Sequence, residues 1–247
     1  MEKIFGLIGG TVGHSFSKQY FDEKFFREGL RDYHYELFPL NNINEIEALL
    51  KDTKGLSGLN VTLPYKEQVF KYLDEVDAFA KKIGAVNVIK IKDGKLQGFN
   101  TDSDAFLETI ENWLPTDQKF KAVILGTGGS SKAVQEALKK LKIEFKLVSR
   151  EARKGVITYD DLTKNKKYLT EANVVINTTP LGMSPNTETM PPIDYELLGP
   201  DHYVYDLIYN PARTMFLQKA EMRGSNIKNG LEMLHVQAEK SWKIWNN

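Results

Sequence analysis

Two rhythms of apolar and polar positions divide the chain: short apolar runs of strand length, and longer stretches in which apolar residues recur every three or four positions. Lys3 to Gly10 is an apolar strand pattern ending in Gly9-Gly10. The hydroxyl- and glycine-rich loop Thr11 to Lys18 follows. From Ser17 the spacing of Tyr20, Phe21, Phe25 and Phe26 predicts a helix, with Ser17 as N-cap and Gly29 near its stop. Tyr33 to Leu40 reads as a strand, and Ile43, Ile46, Leu49 and Leu50 share a helical face. Leu56 to Leu63 is a third strand, after which Pro64 opens a helical pattern through Val69, Phe70 and Leu73. That reading puts Asn60 and Thr62 near a strand's carboxyl end and Lys66 in the first turn of a helix, where the dipole disfavours a cation. Residues 83–99 have a hairpin pattern with Asp93-Gly94 as its two-residue turn, and Asn87 opens the first of its strands.

The alternation continues through Asn100 to Asp104, an acid-rich helix entrance leading to Phe106, Leu107 and Ile110, in which Asp102 has the position of a cap. Trp113 to Lys119 carries Pro115 and reads as a link. Beyond it the apolar run Lys121 to Leu125 meets Gly126-Thr127-Gly128-Gly129-Ser130 and then a helical pattern, which predicts strand, phosphate loop and helix. The first glycine allows the tight turn, the next pair lets backbone approach a pyrophosphate, and the helix N–H groups supply partial positive charge. Ser131 stands where a third glycine is usual and keeps the position small. At the end of the next strand, roughly 20 residues on, come Ser149, Arg150, Glu151 and Arg153. No acid ends the strand itself. The guanidinium groups suit the 2′-phosphate of NADP, whereas Glu151 between them opposes it. Asn173 to Thr178 and Tyr203 to Ile208 are further strand patterns, separated by the proline-rich loop Pro180 to Pro192. Leu231, Leu234, Ala238, Trp242 and Trp245 form the apolar row of a long C-terminal helix, with Gln237 one step off it.

Composition narrows the functional classes. The chain has 247 residues, 41% of them hydrophobic and 27% charged, which is globular and long enough for two domains. Lysine plus arginine and aspartate plus glutamate both total 33, so no global field favours nucleic acid or a membrane surface. A small-molecule substrate is the expected partner. With no cysteine there is neither a disulfide framework nor a thiolate metal site. The four histidines lack ligand spacing, so no metal is expected; His14, beside Ser15, is a candidate border of the substrate. The apolar run at the start is too short for a signal peptide, and no uncharged stretch is long enough for a bilayer, so the reading is cytoplasmic.

Taken in order, Ser15-Phe16-Ser17-Lys18, Asn60 to Lys66, Gly84 to Asn87, Gly98 to Asp102, the glycine loop, Asn177 to Met183, Asp206 to Pro211, Asn229 to Leu231 and Gln237-Ala238 resemble the shikimate dehydrogenase family over nearly the full length. The resemblance implies two α/β domains: a substrate-binding domain at 1–101, a Rossmann-type NADP-binding domain at 102–228, and a C-terminal helix at 229–247 returning to the first. It implies reversible, NADPH-dependent reduction of 3-dehydroshikimate to shikimate in aromatic amino-acid biosynthesis. Lys66 and Asp102 match the catalytic pair. Ser15 and Ser17 match groups that hold the substrate carboxylate with Tyr209, and Asn60, Thr62, Asn87 and Gln237 match groups around the ring. Gly126 to Ser130, Ser149, Arg150, Arg153, Thr178, Ile208 and Gly230 match the cofactor site. Closure of an interdomain cleft that brings Gln237 to the substrate is a further expectation, and a monomer or homodimer is expected. From the residues alone simpler roles stay open: capping for either serine, a surface position for Lys66, core packing for Ile208. Three alternatives also stay open: an NAD-using quinate/shikimate dehydrogenase, a paralogue acting on another small hydroxy acid, and a non-catalytic ligand sensor.

Overall fold

A computed structural model describes residues 2–13 and 15–247, so the reading of His14 lies outside the described residues. The chain divides into two compact units, one running up to Asp102 and resumed by Leu234–Asn247, the other Ser103–Met233. The first unit therefore ends at Asp102 rather than residue 101, and its second segment starts at Leu234 rather than residue 229. Asp102 stays with the first unit through its bonds to Lys66 and Asn87.

The first unit holds β1 (Lys3–Gly9), α1 (Ser17–Arg27), β2 (Tyr33–Pro39), α2 (Ile46–Asp52), β3 (Leu56–Val61), β4 (Glu75–Val76), α3 (Ala78–Ile83), β5 (Val88–Lys92) and β6 (Lys95–Phe99). Its mixed sheet has the order β2-β1-β3-β5-β6-β4. The turn between β5 and β6 is the expected one: Asp93 and Gly94 both have positive φ, 52° and 74°, whose twist matches the flanking strands. One face of the sheet buries Ile8, Ile46, Leu59, Val69 and Ala80 together. The other buries Phe5, Phe21, Phe25, Tyr35, Ala238 and Trp245, the last two from the C-terminal helix.

Several local expectations change. Ser17 is the first residue of α1 rather than its cap, and Ser15 supplies the cap-like oxygen, accepting the Ser17 N–H at 3.2 Å. Phe26 is 89% exposed, so the apolar face of α1 is carried by Phe21 and Phe25. Pro64 opens no α-helix: residues 63–67 form turns and a short 3₁₀ segment occupies Gln68–Tyr72. Lys66 thus lies in a turn, and the expected dipole effect on it has no helix to come from.

The second unit contains α4 (Asp102–Glu111) from Ser103 onward, β7 (Lys121–Leu125), α5 (Gly129–Lys140), β8 (Glu144–Ser149), β9 (Val156–Thr158), α6 (Tyr159–Lys164), α7 (Lys167–Thr170), β10 (Val174–Asn177), β11 (Tyr203–Asp206), α8 (Met215–Glu221) and β12 (Asn226–Lys228). Its sheet, β12-β11-β10-β7-β8-β9, is parallel throughout. Buried runs such as Val174–Asn177, with no exposed alternate position, are what a sheet covered on both faces requires. Because β8 and β10 flank β7 on opposite sides, the order reverses at the carboxyl end of β7, where α/β sheets open a crevice. α9 (Leu231–Asn246) closes the chain. It lies over the first sheet because Gly58 on β3 has no side chain: an added Cβ there would collide with the Trp245 indole, whose N–H donates to the Ile89 carbonyl at 3.0 Å.

Candidate active site

At the carboxyl end of β3, Lys66 Nζ meets Asp102 Oδ2 at 2.6 Å, with only 11% and 8% of the two side chains exposed. A desolvated ion pair of this kind is weak evidence for stability, since an apolar pair of similar volume often does as well. Its presence points to chemistry. Asn87, immediately before β5, holds the carboxylate from the other side, donating Nδ2–H to Asp102 Oδ1 at 2.9 Å and to Thr101 Oγ1 at 2.9 Å. The Thr101 N–H returns to Asn87 Oδ1 at 2.8 Å, which fixes the amide's orientation. Backbone bonds fix its position: the Asn87 carbonyl accepts the Val61 N–H at 2.8 Å and its N–H donates to the Phe99 carbonyl at 3.0 Å. The Val86 N–H donates to the Lys66 carbonyl at 2.8 Å, so the lysine turn and the asparagine segment are tied together.

Gln237, from the second turn of α9, reaches the same cluster, with its Oε1 3.5 Å from Asn87 Nδ2. Asn60 is buried beneath it. Its amide donates to the Asn87 carbonyl at 3.3 Å and to Ser241 Oγ at 3.0 Å, while Tyr35 Oη donates to its Oδ1 at 2.8 Å. Thr101 falls within the Gly98 to Asp102 motif, whereas Tyr35 and Ser241 belong to no motif of the sequence. Ser241 lies one turn beyond Gln237 on α9, and an i, i+4 pair of polar residues beside an apolar row was the available signal. Thr62 borders Gly9 so closely that a Cβ on that glycine would lie 2.5 Å from Thr62 Cγ2. Ser15 and Ser17 form their own pair at the entry of α1, Oγ to Oγ 3.1 Å. Tyr209 belongs to the second unit, past the end of β11.

In the second unit the glycine turn follows β7 as expected. Gly126 has φ +110°, and an added Cβ would lie 2.6 Å from Thr178 Oγ1, so only glycine fits. Gly128 differs: a Cβ there would meet no protein atom within 4 Å, which leaves the space over the turn open for a pyrophosphate at the start of α5. Ser131 is fully buried in place of a third glycine and donates its hydroxyl to the Gly126 carbonyl at 2.8 Å, which ties the turn to the helix. Thr178 joins the same edge by donating Oγ1–H to the Leu125 carbonyl at 2.7 Å. Ile208 is buried, and the Gly230 N–H donates to its carbonyl at 3.1 Å; a Cβ on Gly230 would collide with the Leu207 carbonyl. The residues present therefore fit a dinucleotide. Beyond β8, Arg150 and Arg153 are exposed, and Arg153 Nη2 lies 3.3 Å from Glu151 Oε2 with both side chains mostly in solvent. An ion pair this exposed is worth little, so Arg153 can be redirected to a phosphate at small cost.

Among the described residues no three His, Asp or Glu side chains are grouped to hold a metal ion, and no helix is long and apolar enough to cross a membrane.

A parallel, doubly wound sheet with a glycine turn at its switch point, in one chain with a mixed sheet carrying a buried lysine–carboxylate pair, defines a two-domain α/β protein of the dinucleotide-binding class. Residues 7–89 match the family model described as the shikimate dehydrogenase substrate binding domain. The shikimate dehydrogenase (NADP(+)) of Staphylococcus aureus strain bovine RF122 / ET3-1 is 37% identical over 98% of this chain and 92% of its own length. That of Methanococcus aeolicus is also 37% identical, over 98% of this chain and 91% of its own. The crystal structure of shikimate 5-dehydrogenase from Thermus thermophilus, in complex with NADP(H) and shikimate, aligns with TM-score 0.85 at 29% identity, covering 98% of this chain and 93% of that one. The chain belongs to the shikimate dehydrogenase family.

Proposed function

We propose that this protein catalyses the reversible reduction of 3-dehydroshikimate to shikimate with NADPH, the first unit holding the substrate and the second the cofactor. The observation that carries the proposal is the buried Lys66–Asp102 pair, oriented by Asn87, in a chain of this family. NADPH, when bound, supplies the hydride for the ketone carbon. Lys66 Nζ gives the proton to the developing alkoxide, or takes it from the hydroxyl in reverse, and Asp102 holds and orients the ammonium. Asn87 keeps the Asp102 carboxylate aimed at the lysine. Thr62 and Gln237 flank the ring, and Ser15 and Ser17, with Tyr209, receive the substrate carboxylate. Gly126 to Ser130 cradle the pyrophosphate, Ser149, Arg150 and Arg153 receive the 2′-phosphate, and Thr178, Ile208 and Gly230 border the nicotinamide.

A second reading, preference for NAD and turnover of quinate, is favoured by one feature: Glu151 accepts from Arg153 where the 2′-phosphate would bind. Initial rates of oxidation of shikimate and of quinate, each with NADP and with NAD, test both. A strong preference for NADP with shikimate supports the main reading. Preference for NAD or quinate supports the second, and no turnover with any pair overturns both.

A further inference from the structure

Asp206, at the end of β11, is fully buried and has no part in the proton transfer described above. Its register partner across the sheet is Asn177, the last residue of β10, so the two side chains stand next to each other at the carboxyl edge. Asp206 Oδ1 accepts from Asn177 Nδ2 at 3.0 Å and from the Ile208 N–H at 3.0 Å, and Oδ2 accepts the Thr214 hydroxyl at 2.6 Å. Each partner governs a different piece of chain. With its amide oriented by Asp206, Asn177 turns Oδ1 toward Thr179, accepting the N–H at 3.0 Å and the hydroxyl at 2.6 Å, and so sets the turn containing Thr178. Ile208 is held at both ends of its peptide, by Asp206 at the N–H and by the Gly230 N–H at the carbonyl. Thr214 caps α8, accepting the Leu217 N–H at 3.3 Å.

One carboxylate therefore joins the loops after β10 and β11. We propose that Asp206 is a positioning residue, which sets Thr178 and Ile208 against the nicotinamide half of the cofactor through Asn177 and the Ile208 N–H. This rests on the reading of the chain as an NADP-dependent dehydrogenase. A carboxylate is costly in this place: burial pushes its pKa up to about 7, against the three hydrogen bonds that pull it down. An apolar side chain would fill the same volume without that cost but would leave the Ile208 N–H and the Thr214 hydroxyl without their acceptor, and the Asn177 amide with only its longer bond to the Leu181 carbonyl at 3.4 Å.

Asp206→Asn keeps the volume and one carbonyl oxygen, and Asp206→Ala removes every acceptor. Affinities for NADP and for 2′,5′-ADP, which lacks the nicotinamide half, are to be measured by calorimetry alongside kcat and KM for shikimate. The expected result is a ~3- to 10-fold fall in kcat for the asparagine variant and a larger fall for alanine. NADP affinity drops in both, while the 2′,5′-ADP affinity and the shikimate KM stay within about two-fold. If alanine prevents folding, the asparagine variant carries the test alone. Unchanged kcat and NADP affinity in a folded variant, or a parallel loss of 2′,5′-ADP affinity, overturns the proposal. Turnover by the parent protein tests the functional reading separately, since the ratio of NADP to 2′,5′-ADP affinity reports on Asp206 without any chemistry.

Discussion

Lys66 and Asp102 illustrate how a residue's surroundings decide its chemistry. A lysine in an exposed turn is a solvated cation, but at 2.6 Å from a carboxylate that Asn87 already engages, its ammonium is fixed in one direction. Proton transfer by a positioned group contributes on the order of 10² to 10⁴ in rate. Lys66→Ala is expected to lower kcat by about that factor while changing the shikimate KM far less, as steady-state kinetics will show. Equal losses in both would assign the lysine to binding. Glu151 acts in the opposite sense. Because its bond to Arg153 is exposed, Glu151→Gln is expected to lower the KM for NADP by a few-fold, roughly the worth of a surface pair plus the repulsion of a phosphate by a carboxylate, and to leave the KM for NAD unchanged. Initial rates over a range of each cofactor decide it.

Elements bring these residues together by means that differ in how readily they show in sequence. The hairpin of β5 and β6 was legible because Asp93-Gly94 is a two-residue turn with only one good geometry. The glycine turn after β7 was legible for a similar reason, since Gly126 needs a positive φ and tight clearance from Thr178. β4 and α3 were not read: β4 is two residues long, and α3 is defined by its Asp77 cap and the left-handed Gly84 more than by any periodicity. α9 was expected to return to the first domain, and what holds it there is specific packing. Trp245 stacks on Phe5 with ring centroids 4.8 Å apart, sits over Gly58 and donates to the Ile89 carbonyl. Trp245→Ala is expected to destabilise the protein by about 3–5 kcal/mol, from the cavity and the lost contacts. Because Gln237 and Ser241 share that helix, the shikimate KM should rise as well. Chemical denaturation and kinetics on the one variant check both effects.

For the molecule as a whole the charge balance is neutral, so pH dependence of stability arises from individual buried groups rather than from net repulsion. Asp206 is the clearest of these. In the unfolded chain it releases its proton in the ordinary carboxylate range; in the folded protein burial holds the proton until about pH 7. The folded state thus binds more protons between those limits. The contribution of Asp206 is full below the unfolded pKa and declines as pH rises through about 7. Tyr195, near Asp206, is pushed upward from the usual phenol range chiefly by its own burial and only secondarily by the Asp206 charge, and titrates outside this window. The stability of the parent relative to Asp206→Asn is therefore expected to fall between about pH 4 and about pH 7 and to level off above, as urea denaturation at each pH will show. A difference that stays constant or rises would mean that the carboxylate is charged throughout.

The sequence by itself determined the features that rest on local chemistry. Apolar periods predicted most strands and the long helices, glycine at a sterically demanding position marked the turn between β7 and α5, and the ordered motifs pointed to the family. Tertiary structure decided what depends on residues far apart in the chain. It placed Lys66 in a turn rather than a helix, gave the capping oxygen to Ser15, exposed Phe26, and joined Tyr35, Asn60, Asn87, Thr101 and Ser241 into one buried network beneath the lysine–carboxylate pair. The physical reason is that a side chain's hydrogen-bond partners and burial are set by whichever strands the sheet brings alongside it. Asp206 shows this most plainly: the sequence marks it as the first residue of a motif, Asp206 to Pro211, but its role depends on Asn177 standing beside it in the sheet's register.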